Sequence, residues 1–459
     1  MIDNQSALAG TPARELALDC VEAGVAAARP RRVVRESVAL DPSEETLTVA
    51  GERYDLDDYG EIVVFGGGKA ADGVAAGLEA ALGDRIDRGA VVTDEANASG
   101  SDEAPPELDR IERVAADHPV PSERGVAAAR RVLELADAAD EATLVLAAVT
   151  GGGSALLPAP AGDLSLSDLQ AVTTDLLEGG AAVDELNAVR KHCSALAGGR
   201  LAARAAPATV VGLVLSDVIG DDPSVIASGP LSPDPTTYAD ARNVLDRYDV
   251  DPPDTVRERL QRGARGEASE TPDPGHPTFE SVSTRVLADA MTALDAARRV
   301  AIERGYEPLV LSSRVRGEAG EAAKTHVAVA EQILSTGDPV EPPAVVLSGG
   351  ETTVTVTGDG TGGPNLEFAL SAALEFGAEL GERDAALASV DTDGRDGATD
   401  AAGAVVDSDT VGERLSASRA RAALADNDSL GALDAADAAI RTGATGTNVN
   451  DLRVLVVPE

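Results

Sequence analysis

Three times in this chain an apolar run ends in a cluster of glycines that leads into a helix-forming stretch. The three are Val63-Val64-Phe65-Gly66-Gly67-Gly68-Lys69, Ala148-Val149-Thr150-Gly151-Gly152-Gly153-Ser154 and Val356-Thr357-Gly358-Asp359-Gly360-Thr361-Gly362-Gly363. A run that is apolar at every position, with no alternation, is a strand covered on both faces. Such strands alternating with helices build a parallel sheet. Runs at 62–65, 91–93, 144–149 and 210–215 fit that description, with a helix over 69–82. Shorter strands are expected at 37–40 and 47–49, after an N-terminal helix opened by Thr11-Pro12. In the second half the pattern predicts a long helix over 282–304 and a helix over 367–376. Strands are expected there at 308–311, 344–347, 352–356, 386–390 and 454–457. The fold class is therefore α/β, a parallel-sheet domain plus a second, mixed α/β domain. The Pro-, Gly- and Arg-rich residues 251–280 read as a linker between domains 1–250 and 281–459.

Glycines at the end of a strand let the backbone approach a ligand, and the N–H groups of a following helix favour an anion. Three such turns favour phosphate or carboxylate ligands over a merely tight connection. Gly66, Gly68 and Ala71, with Asp94 at the end of the next strand, resemble a degenerate dinucleotide fingerprint. No Walker A motif is present.

Composition sharpens the reading. The basic residues are 35 Arg and three Lys (Lys69, Lys191, Lys324), so a lysine directly after three glycines stands out. A compact ammonium there can neutralise a transferring phosphoryl group. Arg190-Lys191-His192 pairs Arg with Lys in one helix and could clamp a carboxylate or phosphate; the alternative is a solvated helix face. His118, in Asp117-His118-Pro119-Val120-Pro121, reads as part of a rigid turn. Asp217 and Asp391 directly follow apolar strands, with Asp221 and Asp222, and Asp393 and Asp396, close behind. Oxygen ligands of this kind suit Mg²⁺. The spacing of Asp391-Thr392-Asp393-Gly394 does not make a calcium loop.

The formal charge is −41, from 38 basic and 79 acidic residues. Self-repulsion on that scale penalises compaction in dilute salt. Molar salt, with a Debye length of about 3 Å, removes most of the penalty. We read the surface as adapted to a cytoplasm of high salt. It disfavours nucleic acid and anionic membranes as partners. Cys20 and Cys193 make no disulfide framework and fit a reducing compartment. Met1-Ile2-Asp3-Asn4 lacks the basic and apolar regions of a signal peptide, so a cytoplasmic location is expected.

Taken together, several strings resemble the MOFRL-type (class II) glycerate kinases. They are Phe65–Lys69, Asp117–Pro121, Gly151–Pro158, Asn187–His192, Leu215–Val218 with Ala227–Pro230, Ser348–Thr352, Asp391–Gly394 with Asp400–Gly403, and Thr445–Asp451. They run in order along nearly the whole chain. The resemblance implies a Rossmann-like domain facing a second α/β domain, with the active site in the interdomain cleft. It implies phosphoryl transfer from ATP to D-glycerate with Mg²⁺, giving 2-phosphoglycerate. By that similarity Lys69 leads the catalytic set with Asp217 and Arg190. Gly66, Gly67, Gly68, Gly151, Gly152, Gly153, Ser154, Glu351 and Asn365 would bind the nucleotide. Asp217 and Asp393 would hold the metal. Many family members carry Arg where this chain has Pro364, and Gln where it has Leu366, which calls for a substitute such as Arg395 or Arg316. A homodimer is an assembly such a chain could form. Two other readings stand beside it: an NAD(P)-dependent hydroxypyruvate reductase, and a non-catalytic module that senses glycerate or nucleotide.

Overall fold

The computed structural model describes residues 1–94, 107–376, 380 and 384–459. The chain divides into two compact units. One runs from residue 30 to residue 287; the other joins Met1–Arg29 to Ala288–Glu459. No helix among the described residues is long and apolar enough to cross a membrane.

The first unit opens with a small antiparallel sheet of β1 (Val38–Asp41), β2 (Thr46–Val49) and β3 (Glu52–Asp55). Its main strands are β4 (Glu61–Gly67), β5 (Arg88–Asp94), β6 (Ile111–Ala116), β7 (Thr143–Thr150), β8 (Thr209–Leu215) and β9 (Val282–Ala288). They form a six-stranded sheet in the order β6-β5-β4-β7-β8-β9. The pairs β4–β5, β4–β7, β5–β6 and β7–β8 are parallel. This is the Rossmann strand order. Every residue of β7 is buried, which is why its sequence shows no polar alternation. One apolar cluster joins Val63, Phe65, Val145 and Ala147 to Ala129, Val132 and Leu135 of the helix Glu123–Asp137.

Residues 251–280, expected as a linker, contain the helix Asp254–Ala264. Its Val256 and Leu260 are buried with Leu186 and Val189 of the helix Val183–Cys193 and with Val244 of the helix Tyr238–Arg247. Prolines mark this stretch because Pro253 caps the helix, a position where no N–H is needed. The long helix expected over 282–304 is two elements. The segment 282–288 is the edge strand β9, and Asp289 caps a helix Ala290–Glu303 by accepting from Thr292 N at 2.9 Å. The β-branched Val282 and Thr284 favour a strand, and the Asp cap sets the break.

The second unit holds β10 (Glu307–Val315), β11 (Ala344–Gly350), β12 (Ala386–Asp391), β13 (Gly403–Asp407), β14 (Ala439–Ile440) and β15 (Asp451–Val457). The sheet order is β10-β11-β15-β12-β13-β14. Only the β10–β11 pair is parallel; the others are antiparallel. The N-terminal helix Pro12–Ala27 belongs here. A Cβ on its Gly24 would sit 2.5 Å from Leu452 Cδ2 of β15 and 3.1 Å from Ala293 O. The strand expected at 352–356 is absent; Thr353 makes a single bridge with Glu318, and Val356 is exposed.

Arg14 anchors that N-terminal helix. It is buried, ion-paired to Asp407 at the end of β13 at 2.5 Å, and donates to Thr410 Oγ1 at 3.0 Å. Although burial opposes ionisation of both partners, Arg14 and the Thr410 hydroxyl hold Asp407 below its ordinary range. Removing one partner of a buried pair strands the other. Arg14→Leu should lower unfolding stability by about 3 kcal/mol in thermal melts at fixed KCl, and Arg14→Leu with Asp407→Leu should recover much of it.

Candidate active site

In an open α/β sheet the strand order reverses at one point, and ligands bind outside the carboxyl ends of the strands there. In the unit 30–287 that point lies between β4 and β7, and both strands end in the triple glycines. Gly66 and Gly68 have φ of 139° and 137°, backbone that side-chain-bearing residues rarely adopt. A Cβ on Gly66 would lie 1.9 Å from Ala148 O, and one on Gly68 2.1 Å from Thr150 Oγ1. The two strand ends are thus pressed backbone to backbone. Lys69 N donates to Gly151 O at 2.8 Å, and Ala70 N to Thr150 Oγ1 at 3.1 Å. Lys69 is therefore held at the mouth of the sheet by main-chain bonds.

Its side chain meets two further groups. A Cβ on Gly152 would lie 3.0 Å from Lys69 Cγ and 3.2 Å from His118 Cδ2. One on Gly151 would lie 1.8 Å from Asp217 Oδ2. The cradle Gly151–Gly152 is thus flanked by an ammonium side chain, an imidazole and a carboxylate. They come from the ends of β4, β6 and β8. His118 was read from sequence only as a turn residue; its position after β6 is the signal that it belongs here. The helix after this loop is a single turn, Gly153–Leu156, so the helix dipole expected behind Gly151–Gly153 is not available. The cradle offers space and side-chain charge instead.

Ser154 links the loop to the helix Val183–Cys193. Its Oγ lies 2.8 Å from Ser228 Oγ, which donates to Asn187 Oδ1 at 2.9 Å. Arg190 lies one turn beyond Asn187 on that helix. It is half-buried, and burial alone lowers its pKa. Among the described residues it forms no ion pair. Its neighbour Lys191 is buried and turned to Asp234 at 3.4 Å, and His192 contacts Ala188 O and Glu270. The Arg-Lys-His string therefore splits: two members are structural, and Arg190 alone lacks a carboxylate.

Glu351, Asn365 and Asp393 belong to the other unit. Glu351 is exposed just past β11. Asp393 N donates to Asp391 Oδ1 at 3.0 Å, and Asp393 Oδ1 accepts from Arg395 N at 2.9 Å, so this loop is a series of side-chain-closed turns. Asn365 is buried; its Nδ2 donates to Asp451 Oδ1 at 2.7 Å and its Oδ1 accepts from Ser389 at 2.6 Å. The third glycine turn differs from expectation. Asp396 accepts from Asn365 N at 2.9 Å and Leu366 N at 2.7 Å, so the anion at this helix N-terminus is the protein's own. The glycines serve packing: a Cβ on Gly358 or Gly360 would lie within 2.5 Å of Asp426 O. Pro364 starts the helix, where a missing N–H costs nothing. Arg316 and Arg395 are exposed and in no ion pair among the described residues. Asp217 and Asp393 lie in different units, and no group of three or more metal-ligating side chains occurs among the described residues.

Residues 16–261 match a family described as a domain of unknown function (DUF4147), and residues 344–451 match the MOFRL family. A D-glycerate 2-kinase of Thermotoga maritima is 37% identical over 96% of this chain and 97% of its own. A glycerate 2-kinase of Pyrococcus horikoshii is 36% identical over 97% of each. This chain belongs to the glycerate 2-kinase family. A solved glycerate kinase structure from Thermotoga maritima superposes with a TM-score of 0.82 at 36% identity, covering 96% of this chain and 99% of that one. An Agrobacterium vitis protein provisionally named a hydroxypyruvate reductase is 41% identical over 93% of each chain.

Two features of this glycerate 2-kinase family chain are open to direct measurement. Gly151→Ala would drive a methyl group into the Asp217 carboxylate. It should cut kcat/KM by at least about a hundredfold, as a small misplacement of a positioned group does, while far-UV circular dichroism stays unchanged. The strand β11 that leads to Glu351 is held by His326. Its Nδ1 contacts Ala322 O at 2.8 Å, and its Nε2 therefore accepts from Ser348 Oγ at 2.7 Å. Burial pushes His326 down to about 4. A depressed histidine stays neutral in the fold while the unfolded chain takes up a proton. Stability should thus fall by about 3 kcal/mol as pH drops from about 6.5 to 4. His326→Gln should flatten that acid limb in pH-resolved denaturant melts.

Proposed function

We propose that this chain transfers the γ-phosphoryl group of ATP to the 2-hydroxyl of D-glycerate, giving 2-phosphoglycerate and ADP. The observation that carries the reading is the meeting of Lys69 and Asp217 on either side of the Gly151–Gly152 cradle, at the switch point of the sheet. The names of the glycerate 2-kinase relatives support the substrate.

Phosphoryl transfer asks a protein for positioning and charge neutralisation. Lys69 supplies a fixed positive charge to the phosphoryl oxygens. Arg190 holds the substrate carboxylate, which relieves a half-buried cation of its missing partner. The Asp217 carboxylate orients the 2-hydroxyl and takes its proton. Gly66–Gly68, Gly151–Gly153 and Ser154 line the phosphates. A carboxylate against a cradle free of side chains fits Mg²⁺, and Asp217 would be an oxygen ligand. The ion would supply charge neutralisation at the phosphate oxygens. Closure around the substrates would exclude water and limit wasteful hydrolysis of ATP. The acidic surface fits a salt-rich cytoplasm.

The reductase reading draws on the strand order and on the Agrobacterium vitis relative.

Purified protein in concentrated KCl with ATP, Mg²⁺ and D-glycerate should form a product that enolase consumes without a mutase. A product that needs the mutase would move the phosphoryl group to the 3-hydroxyl. Absence of product, with NADH oxidation by hydroxypyruvate at 340 nm, would replace the kinase reading by the reductase. Lys69→Ala should lower kcat by about a thousandfold with an unchanged thermal melt, and near-full activity would remove Lys69 from the mechanism.

A further inference from the structure

Asn187 is nearly sealed, at 4% exposure, yet only one end of its amide is used. Oδ1 accepts from Ser228 Oγ at 2.9 Å, while Nδ2 donates to no protein group among the described residues. The partner that fixes it is itself held in an unusual turn. Ala227, Ser228 and Gly229 have φ of 51°, 60° and 63°, three left-handed residues in succession, two of them not glycine. Such backbone persists only where its surroundings impose it, and it gathers at functional sites. Here Gly198 N donates to Ser228 O at 3.0 Å and Gly199 N to Gly229 O at 2.8 Å, which clamps the turn. Ser228 lies 2.8 Å from Ser154 of the cradle loop, and Ala227 Cβ would meet a Cβ on Gly153 at 2.7 Å. The turn therefore touches both the loop and Asn187.

Residues three apart on a helix share a face, so Asn187 and Arg190 lie on one face of the helix Val183–Cys193. Resting on the glycerate reading above, Arg190 takes the carboxylate and Asp217 the 2-hydroxyl. The group left over is the 3-hydroxyl, whose oxygen accepts from an N–H donor. We propose that Asn187 is a specificity-determining residue that donates through Nδ2 to the 3-hydroxyl of the acceptor, and that Ser228 is a positioning residue that sets the orientation of its amide. An acid lacking that hydroxyl forgoes this bond, so the site selects 2,3-dihydroxy acids over simple 2-hydroxy acids.

The test compares D-glycerate with D-lactate, which lacks only the 3-hydroxyl, using chromatographic ADP release in concentrated KCl. The wild-type chain should prefer D-glycerate by at least about a hundredfold in kcat/KM. Asn187→Asp keeps the size and removes both donors. It should bring the two acids within about tenfold of each other while KM for ATP changes by less than about threefold. Ser228→Ala should raise KM for D-glycerate by a smaller factor. A folded Asn187→Asp protein that keeps the wild-type preference overturns the proposal, as does an equal rise in KM for ATP. Calorimetric titration of the same proteins with the two acids reads the preference without turnover. Loss of selective D-glycerate binding in Asn187→Asp supports the proposal even if no product forms, in which case the kinase reading alone has failed. Should Asn187→Asp lose its cooperative melt, Ser228→Ala decides: unaltered D-glycerate affinity rejects the proposal.

Discussion

The backbone contact between β4 and β7 sets the conditions for everything at the mouth of the first unit. Parallel strands cannot exchange a hairpin, so the two meet only through their register, Gly66 opposite Ala148 and Gly67 opposite Val149. Continuing that register past the last strand residues requires Gly68 to pass Thr150 with no side chain between them. The reward is that the main chain of Lys69 bonds directly to Gly151. A long, flexible side chain is thereby launched from a fixed point beside Asp217 and His118. Without that contact the lysine would lose its main-chain anchor at Gly151.

Charge is the second organising constraint. A chain with 79 acidic and 38 basic residues has a carboxylate within reach of most cations, and many surface arginines here are indeed paired. Within the interior the pairing is selective. Arg14 meets Asp407, Lys191 meets Asp234, and Arg453 meets Asp451 while stacking 4.7 Å over Phe368. Arg190 departs from that pairing, half-buried and in no ion pair among the described residues, as are Arg29 and Arg200.

Legibility from sequence followed the range of the interaction that decides each feature. The strands β4, β7 and β8 were readable because burial on both faces leaves an unbroken apolar run. Lys69 stood out because lysine is so rare in this chain, and its side chain flanks the Gly151–Gly152 cradle. The edge strand β9 was not, since a half-covered strand with mixed residues imitates an amphipathic helix. The third glycine cluster misled for a related reason. Glycine marks close approach without saying to what, and here the approach is to the turn 426–429 and to the carboxylate of Asp396 rather than to a ligand. Asn187 was visible only as part of a motif, because its environment comes from Ser228, 41 residues away.

By itself the sequence determined the α/β class, the places where strands run into glycines, the acidic surface and the resemblance to glycerate kinases. These depend on local periodicity, composition and residue order, which a linear reading contains. Only the tertiary structure decided that residues 1–29 pack with the C-terminal unit, that Asp217 and His118 converge on the Gly151–Gly152 cradle, and that Asn365 is spent on internal bonds. Those facts rest on contacts between residues far apart in the chain. Which of many carboxylates meets a given glycine or guanidinium is settled by the sheet register and the packing, and no local pattern encodes it.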